Sequence, residues 1–124
     1  MNELREHIEK LIKENDVILF MKGTPDAPAC GFSSKSAGVL EALGKPFAAV
    51  NVLPDQRIRE ELTAVSDWPT IPQLFVNGEL VGGCDIMMEM FESGELAELM
   101  GVEQPDEAPG EQSVAAASPT IQLD

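Results

Sequence analysis

Apolar and polar positions along this chain follow two different periods, and the changes of period divide it into elements. Leu4, Ile8, Leu11 and Ile12 recur at helical spacing, which predicts an amphipathic helix ending near Asn15. "DVILFMK" is a short, β-rich apolar run closed by Gly23 and predicts a buried strand. "GTPDAPAC", with its glycine and two prolines, reads as a loop. From about Gly31 to Leu43, the spacing of Phe32, Ala37, Leu40 and Leu43 predicts a second helix, stopped by Gly44 and Pro46. "FAAVNV" is a second strand, and Ile58, Leu62 and Val65 mark a third helix behind Asp55 as its N-cap. "PQLFVNGELVGG" reads as a hairpin, because Asn77-Gly78 between apolar runs suits a type I′ turn. A last helical region covers about Asp85 to Met100, with a break near Ser93-Gly94.

This order requires a strand–helix–strand unit, which makes a parallel pair, followed by a hairpin that adds antiparallel strands. The predicted fold is α/β: a four-stranded mixed sheet flanked by helices on both faces. Residues 1–102 form the one domain. Beyond Val102 periodicity stops, and residues 103–124, rich in Pro, Glu, Ser and Ala, read as an acidic, disordered tail.

Charge is divided unevenly. Residues 1–59 hold 8 acidic and all 8 basic side chains, whereas residues 60–124 hold 14 acidic and no basic ones, so the whole net charge of −14 lies there. Nucleic acid is excluded as a partner class, since phosphate binding needs a basic face. The acidic half is a solvated surface or a docking face for a basic partner. The longest apolar run, "VILFM", is far too short to cross a bilayer, and "MNELREHIEK" has neither an apolar signal core nor the acid-poor composition of a transit peptide. No membrane association is expected. With only two cysteines, Cys30 and Cys84, the chain suits a reducing compartment, and a soluble cytoplasmic protein is the expectation. One chain lacks the four thiolates of a structural metal site.

"PACGFS" carries the first candidate chemistry. Cys30 stands between the first strand and its helix, where open α/β sheets place ligands. The unpaired N–H groups of a helix's first turn favour an anion and so favour thiolate, which is the nucleophilic and metal-binding form. The alternative is a buried, inert cysteine; the polar, Pro-rich approach and Gly31 argue for exposure. Lys22, at the end of the strand feeding this loop, is a solvated lysine or a group that binds a carboxylate beside the thiol. In "WPTIPQL", Pro72 restricts Ile71 to extended geometry; a cis Ile71–Pro72 bond would present the Ile71 backbone to the site, and an ordinary trans turn is the alternative. In "VGGCD", the glycines allow close backbone approach before a helix start, where the Cys84 and Asp85 N–H groups could hold a carboxylate and the Asp85 side chain an amine. A plain helix entry is the other reading of that segment.

Taken in order, "MKGTP", "CGFS" and "WPTIPQLFVNGELVGGCD" closely resemble the monothiol glutaredoxins of the CGFS class, over roughly residues 3–101. The resemblance implies a thioredoxin-like fold and a cis Pro72. It also implies glutathione held by Lys22 and Arg59 at its glycine carboxylate, by the Ile71 backbone, and by Cys84 and Asp85 at its γ-glutamyl end. Arg59 enters only through the resemblance. With Ser33 where dithiol relatives have a second cysteine, Cys30 is implied to ligate a 2Fe–2S cluster. Four thiolates then come from two chains and two glutathiones. The implied assembly is a homodimer when cluster-bound and a monomer when apo, with a BolA-type protein and apo iron–sulfur acceptor proteins as partners. The alternative function is glutathione-dependent thiol–disulfide exchange by Cys30 alone. Ile71 stands where many relatives have phenylalanine. Trp68, the Met87, Met88 and Met90 group and His7 are read as structural or surface residues.

Overall fold

The computed structural model describes residues 3–103 and the short segment 120–121. Its elements, in chain order, are α1 (Glu3–Glu14), β1 (Val17–Met21), α2 (Gly31–Leu43), β2 (Ala48–Asn51), α3 (Gln56–Ser66), β3 (Gln73–Val76), β4 (Glu79–Gly82), α4 (Cys84–Ser93), α5 (Glu95–Met100) and β5 (Thr120–Ile121). The sheet order is β4-β3-β1-β2-β5. β1 pairs in parallel with β2 and antiparallel with β3, and β3 pairs antiparallel with β4. The expected mixed sheet of four strands is therefore present.

β1 lies inside the sheet, and all five of its residues are buried, which is why it reads as an unbroken apolar run. Its alternate side chains serve two separate cores. Val17, Leu19 and Met21 pack with Leu74 and Val76 beneath α2, α4 and α5, through Leu40, Phe91 and Met100 among others. Ile18 and Phe20 face the opposite way, joining Val50 and Phe75 beneath α1 and α3, through Ile8, Ile12, Ile58 and Leu62. The period of two along a strand thus sorts the chain into three layers. Phe20 and Phe75 meet edge to face, with centroids 5.7 Å apart at 80°.

Local signals behave as their chemistry requires. Asp55 caps α3 by accepting from the Arg57 N–H. Asn77 and Gly78 have φ of 53° and 85°, as a type I′ turn needs. The break in the last helical region falls at Gly94, which closes α4 at φ 87°. His7 is exposed, Met87 is fully buried and Met88 and Met90 pack against the core.

Within the segment read as a tail, two residues beyond Glu103 are described. Thr120 and Ile121 form a fifth strand, in parallel register with Ala49 and Val50 of β2. Two residues carry no periodicity to detect, so this strand exists only because β2 offers an edge. The rest of the expected tail beyond Glu103 lies outside the described residues.

Between β1 and α2 the loop folds back on itself. Thr24 and Ala27 exchange backbone hydrogen bonds of 3.1 and 3.3 Å, and the Ala29 N–H donates to Lys22 O at 2.9 Å. Gly23 permits this fold, at φ 90°; a Cβ there would lie 2.6 Å from both Ala27 O and Ala29 N. Gly23→Ala is expected to destabilise the protein by about 1–3 kcal/mol, read by denaturant unfolding, with the cost concentrated in this loop.

Candidate functional site

Cys30 is the N-cap residue of α2, extended at φ −151° and ψ 138°, and its side chain caps no backbone group. It is partly exposed. The loop therefore delivers a thiol to the first turn of a helix. The backbone N–H groups of Ser33 and then Phe32 hold the thiol pKa below its ordinary value. Desolvation opposes them, while the Lys22 ammonium and the Ser33 hydroxyl add smaller lowering effects.

Ser33 is no substitute for a second thiol at the surface. It is fully buried, and its Oγ accepts the Lys22 N–H at 3.0 Å. That bond joins the end of β1 to the first turn of α2, so one side chain positions both Lys22 and Cys30. Asn51 makes a second tie: its Oδ1 accepts from the N–H groups of Gly23 and Leu53, each at 3.0 Å, linking the ends of β1 and β2. From the sequence Ser33 was noted only as the place of a missing second cysteine, and Asn51 was passed over. A polar residue closing an apolar strand, as Asn51 does in "FAAVN", was the available signal.

Beside this thiol lies a cleft of about 340 Å³, lined by Lys22, Arg59, Ile71, Pro72, Cys84 and Asp85, with Phe32, Trp68, Thr70, Gly83 and Ile86. Six sequence-derived site residues thus converge on one cavity. Cys30 is not part of its lining, but Phe32, two residues further on, is, and that residue is 58% exposed. Among the described residues, neither Lys22 nor Arg59 belongs to an ion pair. Arg57, two positions before Arg59, is instead bound to Asp55 at 2.7 Å. The cleft thus presents two cations at one end. At the other, the first turn of α4 supplies N–H groups at Cys84 and Asp85.

The wall between these ends is the segment 68–72, and the Ile71–Pro72 peptide is cis. Gln73, buried completely, holds the wall by donating from Nε2 to Trp68 O at 2.9 Å and Thr70 O at 3.0 Å. Gly83 lets the wall close against α4: a Cβ there would stand 3.2 Å from Pro72 O and 3.3 Å from Trp68 Nε1. Trp68, read from sequence as a core or rim aromatic, is half-buried and lines the cleft. Its Nε1 is buried and has no partner among the described residues. Cys84 is only 8% exposed, which leaves Cys30 as the accessible thiol of the described residues.

This arrangement can accept an extended molecule with an anionic end beside Lys22 and Arg59 and a second polar end at the α4 N-terminus. Among the described residues, no group of three or more His, Cys, Asp and Glu side chains could hold a metal ion, and no helix is long and apolar enough to cross a membrane.

The glutaredoxin family profile matches residues 17–81. A probable monothiol glutaredoxin 2 of Rickettsia typhi is 52% identical over 99 residues, spanning 80% of this chain and 89% of that protein. Glutaredoxin 4 of Escherichia coli K12 is 49% identical over 100 residues, spanning 81% and 87% respectively. Among solved structures, reduced apo GrxS14 of poplar matches with a TM-score of 0.71 at 45% identity, covering 79% of this chain and 90% of that one. A buckwheat glutaredoxin–glutathione complex shares the fold, with a TM-score of 0.71 at 23% identity.

Removing the Ser33 hydroxyl tests the electrostatics of the site. Ser33→Ala is expected to raise the Cys30 pKa while leaving it below that of a free thiol, because the larger backbone contributions remain. The pH profile of Cys30 alkylation, followed by mass spectrometry of its peptide, should move to higher pH. Reactivity is then lost between the old midpoint and the new one.

Proposed function

This chain belongs to the glutaredoxin family, among its monothiol members, and from that premise we propose that it binds glutathione and carries a 2Fe–2S cluster for delivery to other proteins. The observation that carries the reading is a single accessible, thiolate-favouring cysteine beside a cleft with two unpaired cations. In this reading Lys22 and Arg59 hold the glycine carboxylate of glutathione. The Ile71 backbone pairs with its cysteinyl portion, and Cys84 and Asp85 hold the γ-glutamyl end. Glutathione thereby brings its own thiol to the side of Cys30.

The donor set fits the cluster only in part. Cys30 offers a thiolate, the form that iron requires, but with Cys84 buried a single chain supplies one accessible sulfur. Two Cys30 thiolates and two glutathione thiols make four, so the carrier is a homodimer while loaded and a monomer once the cargo has left. Ser33 favours release: with its hydroxyl buried and engaged, no neighbouring thiol competes for the cargo. A BolA-type protein in place of one chain, apo iron–sulfur proteins as acceptors, and a cytoplasmic location complete the proposal.

The exposure of Cys30 favours a second reading, the removal of glutathione from mixed disulfides. Its thiolate attacks the glutathione sulfur, expels the protein thiolate and forms a Cys30–glutathione disulfide. A second glutathione thiolate attacks the bound glutathione sulfur, releasing oxidised glutathione and restoring the Cys30 thiolate. No second protein cysteine is consumed.

Anaerobic reconstitution with iron, sulfide and glutathione separates the two. The expected product is a dimer with 2Fe–2S absorption, lost in Cys30→Ser and in the absence of glutathione. A colourless monomer that turns over glutathione mixed disulfides would select the enzyme instead. Lys22→Ala and Arg59→Ala should each weaken glutathione binding roughly 10-fold or more in calorimetric titration, as expected for a charge-assisted hydrogen bond of about 1.5–3 kcal/mol. Ile71→Phe should leave that affinity unchanged, since only its backbone is engaged.

A further inference from the structure

The glutathione reading leaves the Trp68 indole without a task. The main chain of Trp68 is pinned on both sides: its N–H donates to Ser66 Oγ at 3.1 Å, and its carbonyl accepts from Gln73 Nε2 at 2.9 Å. The side chain is not pinned in this way. The ring is half-buried and lines the cleft, while Nε1 is buried and has no partner among the described residues. A covered N–H without an acceptor forfeits the hydrogen bond it makes in water, so buried donors are nearly always paired and an exception calls for a cause. Packing alone is not that cause, because phenylalanine fills a wall with no donor to desolvate.

The position of Nε1 points to one. Gly83 is the N-cap residue of α4, and a Cβ on it would stand 3.3 Å from Nε1. The N–H edge of the indole therefore lies against the residue immediately before Cys84 and Asp85. Their N–H groups open the helix without intrahelical acceptors. The orphaned donor thus adjoins the end of the cleft where two further donors already face a ligand.

We propose that Trp68 is a further glutathione-binding residue: when the ligand enters, the ring turns about its side-chain bonds and Nε1–H donates to the α-carboxylate of the γ-glutamyl end. This rests on the glutathione reading of the cleft. In the free protein the N–H is covered by Gly83, and in the complex it is paired, so the bond is gained without giving up a water. A neutral third donor also supports a carboxylate beside Asp85, whose own carboxylate would repel it. Specificity follows, since a ligand whose far end lacks a carboxylate leaves Nε1 covered.

The test pairs glutathione with 4-aminobutyryl-cysteinylglycine, which is glutathione lacking only that α-carboxylate. It also pairs the full chain with full-length Trp68→Phe, which keeps a ring and loses the N–H. In calorimetric titration the variant should bind glutathione about 10-fold more weakly, the order of a hydrogen bond to a charged group. The analogue, followed by its displacement of glutathione, should bind both proteins equally. Equal glutathione affinities for the two proteins would overturn the proposal. A loss of the same size for both ligands would do so too, because the substitution would then merely disturb the wall.

A second readout uses the unaltered chain. Trp68 is its one tryptophan, so a nitrogen-edited NMR spectrum holds a single indole N–H resonance. Saturating glutathione should move that proton downfield, as a new hydrogen bond to a carboxylate does, and the analogue should leave it in place. A resonance that stays in place with glutathione bound would overturn the proposal. If the full chain binds no glutathione, the glutathione reading fails and the proposal falls with it. Binding that Trp68→Phe does not weaken removes the proposal alone.

Discussion

The hydrogen bond from the Lys22 N–H to the buried Ser33 hydroxyl is the junction on which the site depends. It fastens the end of the inner strand to the first turn of α2. The strand end carries the cation, the helix start carries the thiol, and the loop between them is pinned at both ends by this contact and by Asn51. A serine can make this bond because its oxygen accepts at a short distance; a thiol in its place would be a poorer acceptor. The residue that denies Cys30 a local disulfide partner therefore also sets where Cys30 stands.

The same junction reconciles the protein's charge with its proposed ligand. A chain of net charge −14 is a poor host for an anion if judged as a whole. Screening makes that sum a weak guide, since exposed charges more than about 8–10 Å apart scarcely interact at physiological salt. What a ligand meets in the cleft is local: Lys22, Arg59 and the N–H groups that open α2 and α4. The same N–H groups that favour an anionic ligand favour the Cys30 thiolate. One physical device thus serves the nucleophile at one helix and the substrate at the other. Of the acidic half of the chain, Asp85 is the one carboxylate among the residues that line the cleft.

Buried polar side chains give the cleft its shape. Gln73 holds two carbonyls of the segment that walls it, and Gly83 allows that wall to approach α4 within a distance that any side chain would enlarge. Gly83 lines the cleft, whereas Gln73 stands behind its wall. They determine where the Ile71 backbone and the Cys84 and Asp85 N–H groups lie.

Much of this was legible in the sequence. Helical spacing in α1 and α3, the buried run of β1 and the Asn77-Gly78 turn each specify an element through neighbours a few residues apart, so periodicity and local turn chemistry suffice. The candidate residues Cys30, Lys22, Cys84 and Asp85 were legible for the same reason, as each sits at a strand end or a helix start. Arg59 was recovered only by resemblance, because an exposed arginine on a helix has no local mark of its task. What required the tertiary structure were contacts between distant parts of the chain: Ser33 with Lys22, Asn51 with Gly23, Gln73 with the wall before it, and Thr120–Ile121 on the edge of β2. Each is a hydrogen-bonding choice made by a polar or backbone group among many available partners. Hydrophobic period determines which face of an element is buried, whereas only the packed chain determines which partner a buried polar group finds.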